Sequence, residues 1–273
     1  MKKMLDQIAI INKASWEEVV KEGARSTIPY LDLDVEAFRA YREGETKILP
    51  EHCCDNLAGE AIMAIASGKD VLCLAAGGGQ QSALFSLLGA RVTVLDICEG
   101  QLDGDRKAAA HYGYDIAIIQ GDMRDLSNLA DESFDLVYGT GNTYVPDARE
   151  VFIGVSRVLR TGGIYRVDFM NPYTEFVDAE DWDGVGYRIT KPLAQRTRQN
   201  GMLEFRHYLD EVFNGLLDVG FCIQRVFASQ ELPDPDVQPG SYRHWEAFID
   251  GTYAILARKA ISKEERTMMD IHK

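Results

Sequence analysis

The chain has 273 residues, and its 46% hydrophobic content is enough for one large domain with a substantial core. Its formal net charge of −14 argues against a nucleic-acid-binding surface, because such surfaces need clustered lysine and arginine. No stretch approaches the roughly 18 consecutive apolar residues of a membrane span, and the charged N-terminal segment has no signal-like cleavage site. We therefore expect a cytoplasmic protein with a small-molecule or protein partner.

The N-terminal segment, residues 1–55, is polar with helical periodicity and scattered aromatic residues. It predicts a helical cap that precedes the main domain and packs at the open mouth of the sheet. The five cysteines are odd in number and lack C-x-x-C spacing, which favours reduced thiols. The vicinal pair Cys53 and Cys54 would need the distant Cys222 to bind a soft ion, so no metal is expected.

Residues 71–170 alternate between short apolar runs and segments with helical periodicity, which predicts parallel strands joined by crossover helices. The predicted strands cover 71–75, 91–96, 116–120, 134–139 and 163–169. The predicted helices cover 80–88, 100–112 and 148–159, and the last is expected to stop at the sequence RTGG.

After residue 170 the alternation is interrupted by a polar, aromatic-rich insert, residues 171–201, which could form a small sheet or a lid. Helical periodicity then predicts a helix over 203–220, followed by a strand over 221–228, a proline-rich loop over 231–245 and a strand over 252–259. A last strand that is reached through a loop can be antiparallel.

A turn of three glycines follows the first strand, where open parallel sheets bind ligands. Gly77 and Gly79 would let a ligand approach the backbone closely, although a plain tight turn also explains them. Asp96 lies 17 residues beyond Gly79 and ends the second strand, a spacing that favours hydrogen bonds to ribose hydroxyls. Ser82 stands where a dinucleotide fingerprint needs glycine, so pyrophosphate binding is disfavoured. After the third strand, Asp122 is predicted to accept from an adenine amino group or to occupy a surface turn.

Four landmarks occur in order over residues 55–260: LAAGGGQ, VTVLDICEGQL, GDM, and FDLVYGTGNTYVPD leading into VLRTGG. With them the chain resembles the class I S-adenosylmethionine-dependent methyltransferases. The resemblance implies a Rossmann-like α/β fold over residues 56–273, with a seven-stranded, mostly parallel sheet, an antiparallel last strand and helices on both faces. It also implies S-adenosylmethionine as the cofactor and S-adenosylhomocysteine as the product.

The resemblance implies a set of cofactor-binding residues. Those expected at the methionine portion are Ala75, Gly77, Gly79, Gln80 and Gly139, and those at the ribose and adenine are Asp96, Ile97, Gln101, Asp122 and Met123. Two positions depart from the family: Cys73 replaces the usual acid, and Ala75 replaces the first glycine. The ammonium group of the cofactor thereby loses one usual partner.

The acceptor is expected to be a small molecule, because no D/N-P-P-Y/F motif of nucleic-acid amino-methyltransferases follows the fourth strand. The candidate catalytic residues are Tyr144, as an aromatic wall or a base, and His207, as a base or an inert histidine. The inserts 171–201 and 231–245 and the cap are expected to wall the acceptor pocket. The aromatic residues there would line this wall if they point inward, and packing in the core or in a lid is an equal alternative for them: Tyr30, Tyr41, Tyr173, Trp182 and Trp245.

Other readings of the sequence stay open. The altered glycine loop also allows a protein that binds an S-adenosyl cofactor to sense or scaffold without turnover. A nicotinamide-dependent oxidoreductase would bind NAD(P) and would not need Asp122. The sequence allows either a monomer or a homodimer.

Overall fold

The structure is a computed structural model that describes residues 5–140, 142–176, 181–228, 237–241, 244–245, 247–249 and 251–260. Its α-helices are α1 (Gln7–Lys21), α2 (Val35–Arg42), α3 (Gly59–Met63), α4 (Gln81–Leu87), α5 (Glu99–Tyr112), α6 (Ala148–Val158) and α7 (Leu209–Asp218). Its strands are β1 (Asp70–Leu74), β2 (Arg91–Asp96), β3 (Ile116–Gln120), β4 (Phe134–Gly139), β5 (Leu159–Met170), β6 (Thr197–Asn200), β7 (Met202–Phe205), β8 (Phe221–Ala228) and β9 (Thr252–Lys259).

Within the described residues, seven strands form one sheet in the order β3-β2-β1-β4-β5-β9-β8. The five strands from β3 to β5 are parallel, and β9 is antiparallel to both of its neighbours. The predicted Rossmann-like sheet with an antiparallel last strand is confirmed. The chain order reverses between β1 and β4, so the carboxyl ends of these strands border the crevice where open α/β sheets bind ligands.

Both faces of the sheet are covered, which is why its central strands are apolar throughout rather than alternating. Helices α6 and α7 pack Phe152 and Leu216 against one face. On the other face, Phe85 of α4 shares a cluster with Phe38 of α2 and Ile62 of α3. The N-terminal segment therefore contributes side chains to the core that buries β1.

The predicted helix over 203–220 begins too early. Residues 202–205 instead form β7, which pairs with β6 around Gly201, whose φ is +80°. The helix starts at Leu209 because the Glu211 carboxylate accepts a hydrogen bond from the Tyr208 backbone N–H at 3.0 Å, which caps the first turn.

Two further differences concern the insert and the fifth strand. Strand β5 begins at Leu159, four residues before its predicted start, because α6 passes directly into it. Only the last part of the 171–201 insert forms a strand within the described residues, namely β6, which pairs with β7 just beyond the insert. Much of the 231–245 loop, namely 231–236 and 242–243, lies outside the described residues.

Over the part of the chain that is described, no helix combines the length and the apolar character that crossing a membrane requires.

Candidate functional site

A cavity of about 420 Å³ opens at the carboxyl ends of the central parallel strands. Its walls come from the glycine turn after β1, the ends of β2 and β5, the turns after β3 and β4, and helix α1. Eight of the ten residues predicted to bind a cofactor line it: Ala75, Gly77, Gln80, Asp96, Ile97, Gln101, Asp122 and Met123. The fold thus brings together residues that are up to 48 positions apart in the sequence.

The glycine turn is shaped by close contacts as well as by backbone conformation. A Cβ atom on Gly77 would lie 2.8 Å from the Gln101 Cβ atom and 3.1 Å from the Asp96 Oδ2 atom, so only glycine fits there. Gly78 adopts a φ of +109°, and Ala75 adopts a φ of +49° at the place where the family has its first glycine. Ala75 therefore keeps the left-handed backbone at a cost of roughly 1–2 kcal/mol.

Gly79 does not line the cavity. A Cβ atom on Gly79 would lie 2.4 Å from the Gly104 carbonyl oxygen, because the turn packs directly on α5. The Asp105 carboxylate of α5, which is fully buried, accepts hydrogen bonds from the backbone N–H groups of Gly78 and Gly79 at 3.2 and 3.1 Å and from the Ser82 hydroxyl at 2.5 Å. These loop N–H groups are thus satisfied within the protein, which leaves them unavailable to a pyrophosphate.

Gly139 also differs from its predicted place. A Cβ atom there would lie 2.9 Å from the Tyr165 ring, so Gly139 packs against the core side chain Tyr165. The next residue, Thr140, lines the cavity instead, and its hydroxyl donates to the Ala75 carbonyl oxygen. Cys73, in the position of the usual acid, is fully buried within β1, and burial raises its pKa, so no thiolate reaches the cavity.

Asp96 and Gln101 form a polar cradle beside the turn. The Asp96 carboxylate, 7% exposed, accepts hydrogen bonds from the backbone N–H groups of Gly77 at 3.1 Å and Cys98 at 2.9 Å. Burial raises its pKa to about 6. Gln101 is 6% exposed and lines the cavity, but its side-chain oxygen has no hydrogen-bond partner. A buried acceptor without a partner is costly, so the cradle fits a ligand with hydroxyl donors.

Asp122 is held by an arginine that the sequence reasoning did not identify. The Arg124 guanidinium donates to Asp122 Oδ2 at 2.6 Å and to Asp6 Oδ2 at 2.8 Å. Arg124 lowers the pKa of the Asp6 carboxyl to about 2. Asp6 caps the N-terminus of α1, so this bridge ties α1 to the turn after β3.

Helix α1 covers the cavity, and its residues Ala9, Asn12 and Trp16 are part of the lining. The Asn12 side-chain nitrogen donates to the carbonyl oxygens of Tyr144 at 3.1 Å and Leu203 at 2.9 Å. Directly after Trp16, the Glu17 carboxylate accepts hydrogen bonds from the first backbone N–H groups of α5, including that of Glu99 at 2.9 Å. These contacts join α1 to three separate parts of the cavity wall.

The far end of the cavity contains the predicted candidate Tyr144 together with acidic side chains. The Tyr144 ring lies 5.7 Å from the Trp16 ring in an edge-to-face contact. Asp168 at the end of β5 and Glu204 on β7 also line this part. Burial, reinforced by Glu204 and then Asp168, raises the pKa of the Tyr144 phenol, so it is protonated and unsuited to act as a base.

His207, the second candidate, lies outside the lining. Its Nε2 atom faces the carbonyl oxygens of Asn142 at 3.1 Å and Val145 at 3.0 Å, so Nε2 carries a proton and donates. Burial lowers the pKa of the imidazole and keeps it neutral. His207 therefore braces the turn that carries Tyr144 and does not face the cavity.

The aromatic residues that line the cavity are not the five candidates, for which the alternative of packing elsewhere applies. Trp16 and Tyr144 line the cavity, whereas five predicted aromatic residues do not: Tyr30, Tyr41, Tyr173, Trp182 and Trp245. Tyr30 stacks on His52 with ring centroids 4.7 Å apart, and Trp182 packs on His244 at the same distance. Across the described ranges, no group of three or more His, Cys, Asp or Glu side chains is arranged to hold a metal ion.

Some of the missed residues carried a signal in the sequence. Asp105 lies on the buried face of α5, three positions after Leu102 and three before Ala108, where an apolar residue is expected. Asn12 and Trp16 share a face of α1 at i, i+4 spacing. Arg124 and Glu204 had no such signal, because the contact of Arg124 with Asp6 and the place of Glu204 in the cavity wall depend on segments that are distant in the sequence.

Comparison with known proteins gives consistent results. The profile of a family described as "Methyltransferase domain" matches residues 72–167. An uncharacterised methyltransferase of Bacillus subtilis, YbaJ, is 38% identical over 170 residues, which cover 57% of this chain and 67% of that protein. The fold resembles an S-adenosylmethionine-dependent methyltransferase from Mesorhizobium loti, with a TM-score of 0.59, 24% identity, and coverage of 75% of this chain and 99% of that one. A putative methyltransferase of the same kind from Listeria monocytogenes gives a TM-score of 0.57 at 19% identity, covering 71% and 91% of the two chains.

Proposed function

Because the chain belongs to the class I S-adenosylmethionine-dependent methyltransferases, we propose that it transfers the methyl group of S-adenosylmethionine to a small-molecule acceptor bound in the cavity. The observation that carries the proposal is the cradle of Asp96, Gln101 and Gly77. It combines a buried carboxylate, an acceptor without a partner and a turn whose surface only glycine allows.

We assign the cavity's nucleoside end to the cradle and to the turn after β3. Asp96 and Gln101 accept from the ribose hydroxyls, while Ile97 and Met123 hold the adenine between apolar side chains. Asp122, positioned by Arg124, faces the adenine edge. The methionine portion lies along Ala75, Gln80 and Thr140, in place of the predicted Gly79 and Gly139.

A small acceptor is supported by the way α1 closes the cavity. Hydrogen bonds from Asn12 join α1 to Tyr144 and to Leu203 of β7, so the far end of the cavity is walled on several sides. We propose that residues 1–55 act as a cap on the domain formed by residues 56–273. A polymeric acceptor would need an open groove at this place, and the phosphates of a nucleic acid would also meet a strongly acidic protein.

The bound cofactor supplies an electrophilic methyl group on a sulfonium, which already carries a good leaving group. The protein's main contribution is therefore alignment and exclusion of water. The arrangement agrees with this division, because Tyr144 stays protonated and His207 faces away from the cavity.

Calorimetry with S-adenosylhomocysteine tests the cofactor site without an acceptor. Asp96→Ala should weaken binding by roughly 1–3 kcal/mol, because ribose hydroxyls lose a buried partner. The control Asp131→Ala, at a side chain that is 73% exposed, should bind as the wild type does. An unchanged affinity for Asp96→Ala would mean that the ribose is held elsewhere. Release of S-adenosylhomocysteine across a metabolite panel then tests turnover, and binding without any turnover would favour a sensing or scaffolding role.

A further inference from the structure

The far end of the cavity combines carboxylates with aromatic rings. Asp168 and Glu204 line it, and so do the edge-to-face pair Trp16 and Tyr144. The pKa of the Tyr144 phenol is raised by both carboxylates, in addition to burial, so both act on the same region of the cavity. Phe169 and Met170 add apolar surface beside them. Aromatic faces and carboxylates together are a favourable environment for an organic cation.

The charges of the lining are unevenly distributed. Among the described lining residues, Arg124 is the cationic one, and it is bound to Asp122 and Asp6 at the nucleoside end. At the far end, the Asp168 carboxylate forms an ion pair with the buried Arg166 guanidinium at 2.5 Å. The ion pair of Glu204 with Arg198 is long, at 3.9 Å, and Arg198 is 46% exposed. Both carboxylates therefore lie at the far end of the cavity, whereas the arginine of the lining lies at the nucleoside end.

A second observation at the same end is the side chain of Asn142. It is 2% exposed and lines the cavity, and its nitrogen donates to the Asp168 carbonyl oxygen at 3.3 Å. Its side-chain oxygen is buried without a hydrogen-bond partner. A ligand group with several N–H donors would satisfy this oxygen and the carboxylates together.

We propose that the methyl acceptor is a primary or secondary amine with an apolar body, bound as its ammonium between Glu204 and the rings of Trp16 and Tyr144. The apolar body lies against Phe169 and Met170. This inference rests on the proposed function, whose acceptor class it names.

The transfer is balanced if Glu204 takes one proton. The ammonium gives a proton to the Glu204 carboxylate, which leaves a lone pair on nitrogen. That nitrogen forms a bond to the methyl carbon while the carbon–sulfur bond breaks and the sulfur keeps the electron pair. The products are the N-methylated ammonium and the thioether, and Glu204 passes its proton to solvent.

The test uses probes with the same carbon skeleton and different head groups. The complex with S-adenosylhomocysteine is titrated with 2-phenylethylamine, 2-phenylethanol and phenylacetate, and with hexylamine, hexanol and hexanoate. We expect each amine to bind at least tenfold more tightly than its alcohol and its carboxylate. With S-adenosylmethionine, the amines should give S-adenosylhomocysteine.

The variant Glu204→Gln should reduce the preference of amine over alcohol about tenfold and keep the affinity for S-adenosylhomocysteine. Trp16→Leu should also reduce it, and it gives an independent test if Glu204→Gln fails to fold. The exposed control Glu36→Gln should change neither value.

Equal binding of alcohol or carboxylate overturns the proposal, as does an amine preference that survives Glu204→Gln and Trp16→Leu. The proposal also fails if S-adenosylhomocysteine binds but no amine does. If Asp168→Asn alone weakens S-adenosylhomocysteine and leaves 5′-methylthioadenosine unchanged, this end holds the cofactor's own ammonium and the proposal is wrong. Failure of S-adenosylhomocysteine itself to bind would count against the proposed function.

Discussion

The contact between Gly104 of α5 and the glycine turn offers a sharp test of how the site is built. A Cβ atom on Gly104 would lie 2.6 Å from the Gly78 carbonyl oxygen and 2.9 Å from the Gly78 Cα atom. Ordinary contacts begin at 3.4 Å, so Gly104→Ala must move the turn from the helix by about 0.8 Å. The neighbouring atoms belong to the backbone and cannot rotate away.

The expected change in the free energy of unfolding combines one stabilising effect and two destabilising effects. Alanine in a helix interior gains about 1 kcal/mol over glycine. Overpacking costs about 1–3 kcal/mol. The displacement also stretches the hydrogen bonds from Gly78 to Gln101 and Asp105, at about 1 kcal/mol each when lost. We expect a net loss of about 2 kcal/mol in the free energy of unfolding, and a rise of at least about tenfold in the dissociation constant for S-adenosylhomocysteine, because the turn shifts against Asp96.

Urea unfolding measures the stability, and calorimetry measures the cofactor affinity. Gly113→Ala is a matched control, because Gly113 ends the same helix with a φ of +72° and open space around it. It should lose a similar 1–2 kcal/mol through backbone strain and keep its cofactor affinity. If Gly104→Ala is instead stabilised, or if it binds S-adenosylhomocysteine as the wild type does, the close approach does not shape the site.

Three other predictions concern the cap and the candidate histidine. Arg124→Met should leave Asp122 without its cation, weaken S-adenosylhomocysteine binding about tenfold in calorimetry and increase hydrogen exchange in α1; unchanged exchange would show that the bridge does not hold the helix. Because Arg124 lowers the pKa of Asp6 to about 2, the stability contributed by Asp6 is present above pH 4 and lost as the pH falls towards 2. The unfolding free energies of Asp6→Asn and the wild type should therefore converge over that range, and a constant difference would contradict the pairing. His207→Gln can still donate to the Asn142 carbonyl oxygen, so turnover and its pH profile should be retained, whereas a catalytic base would lose both.

Much of the fold could be predicted because it depends on local patterns. The strands β2, β3, β4, β8 and β9 match the predicted bounds. Each is a short run rich in apolar residues that is bounded by turn or polar residues, and this pattern is local in the sequence. The helix before β8 could not be delimited in this way. Its N-terminus depends on the cap by Glu211 and on pairing of β7 with β6, and these compete with the helical periodicity of residues 203–208.

By itself, the sequence predicted which edge of the sheet carries the cavity to which we assign the cofactor, because a glycine turn and strand-end acids meet at one edge of any parallel sheet. It did not determine how the three glycines divide their tasks, since Gly77 faces Asp96 while Gly79 packs on Gly104 of α5. The tertiary structure alone decided which side chains surround the far end of the cavity, where we propose that the acceptor binds. Trp16 and Glu204 are 188 positions apart, and only the packing of α1 on β7 brings such residues to one cavity.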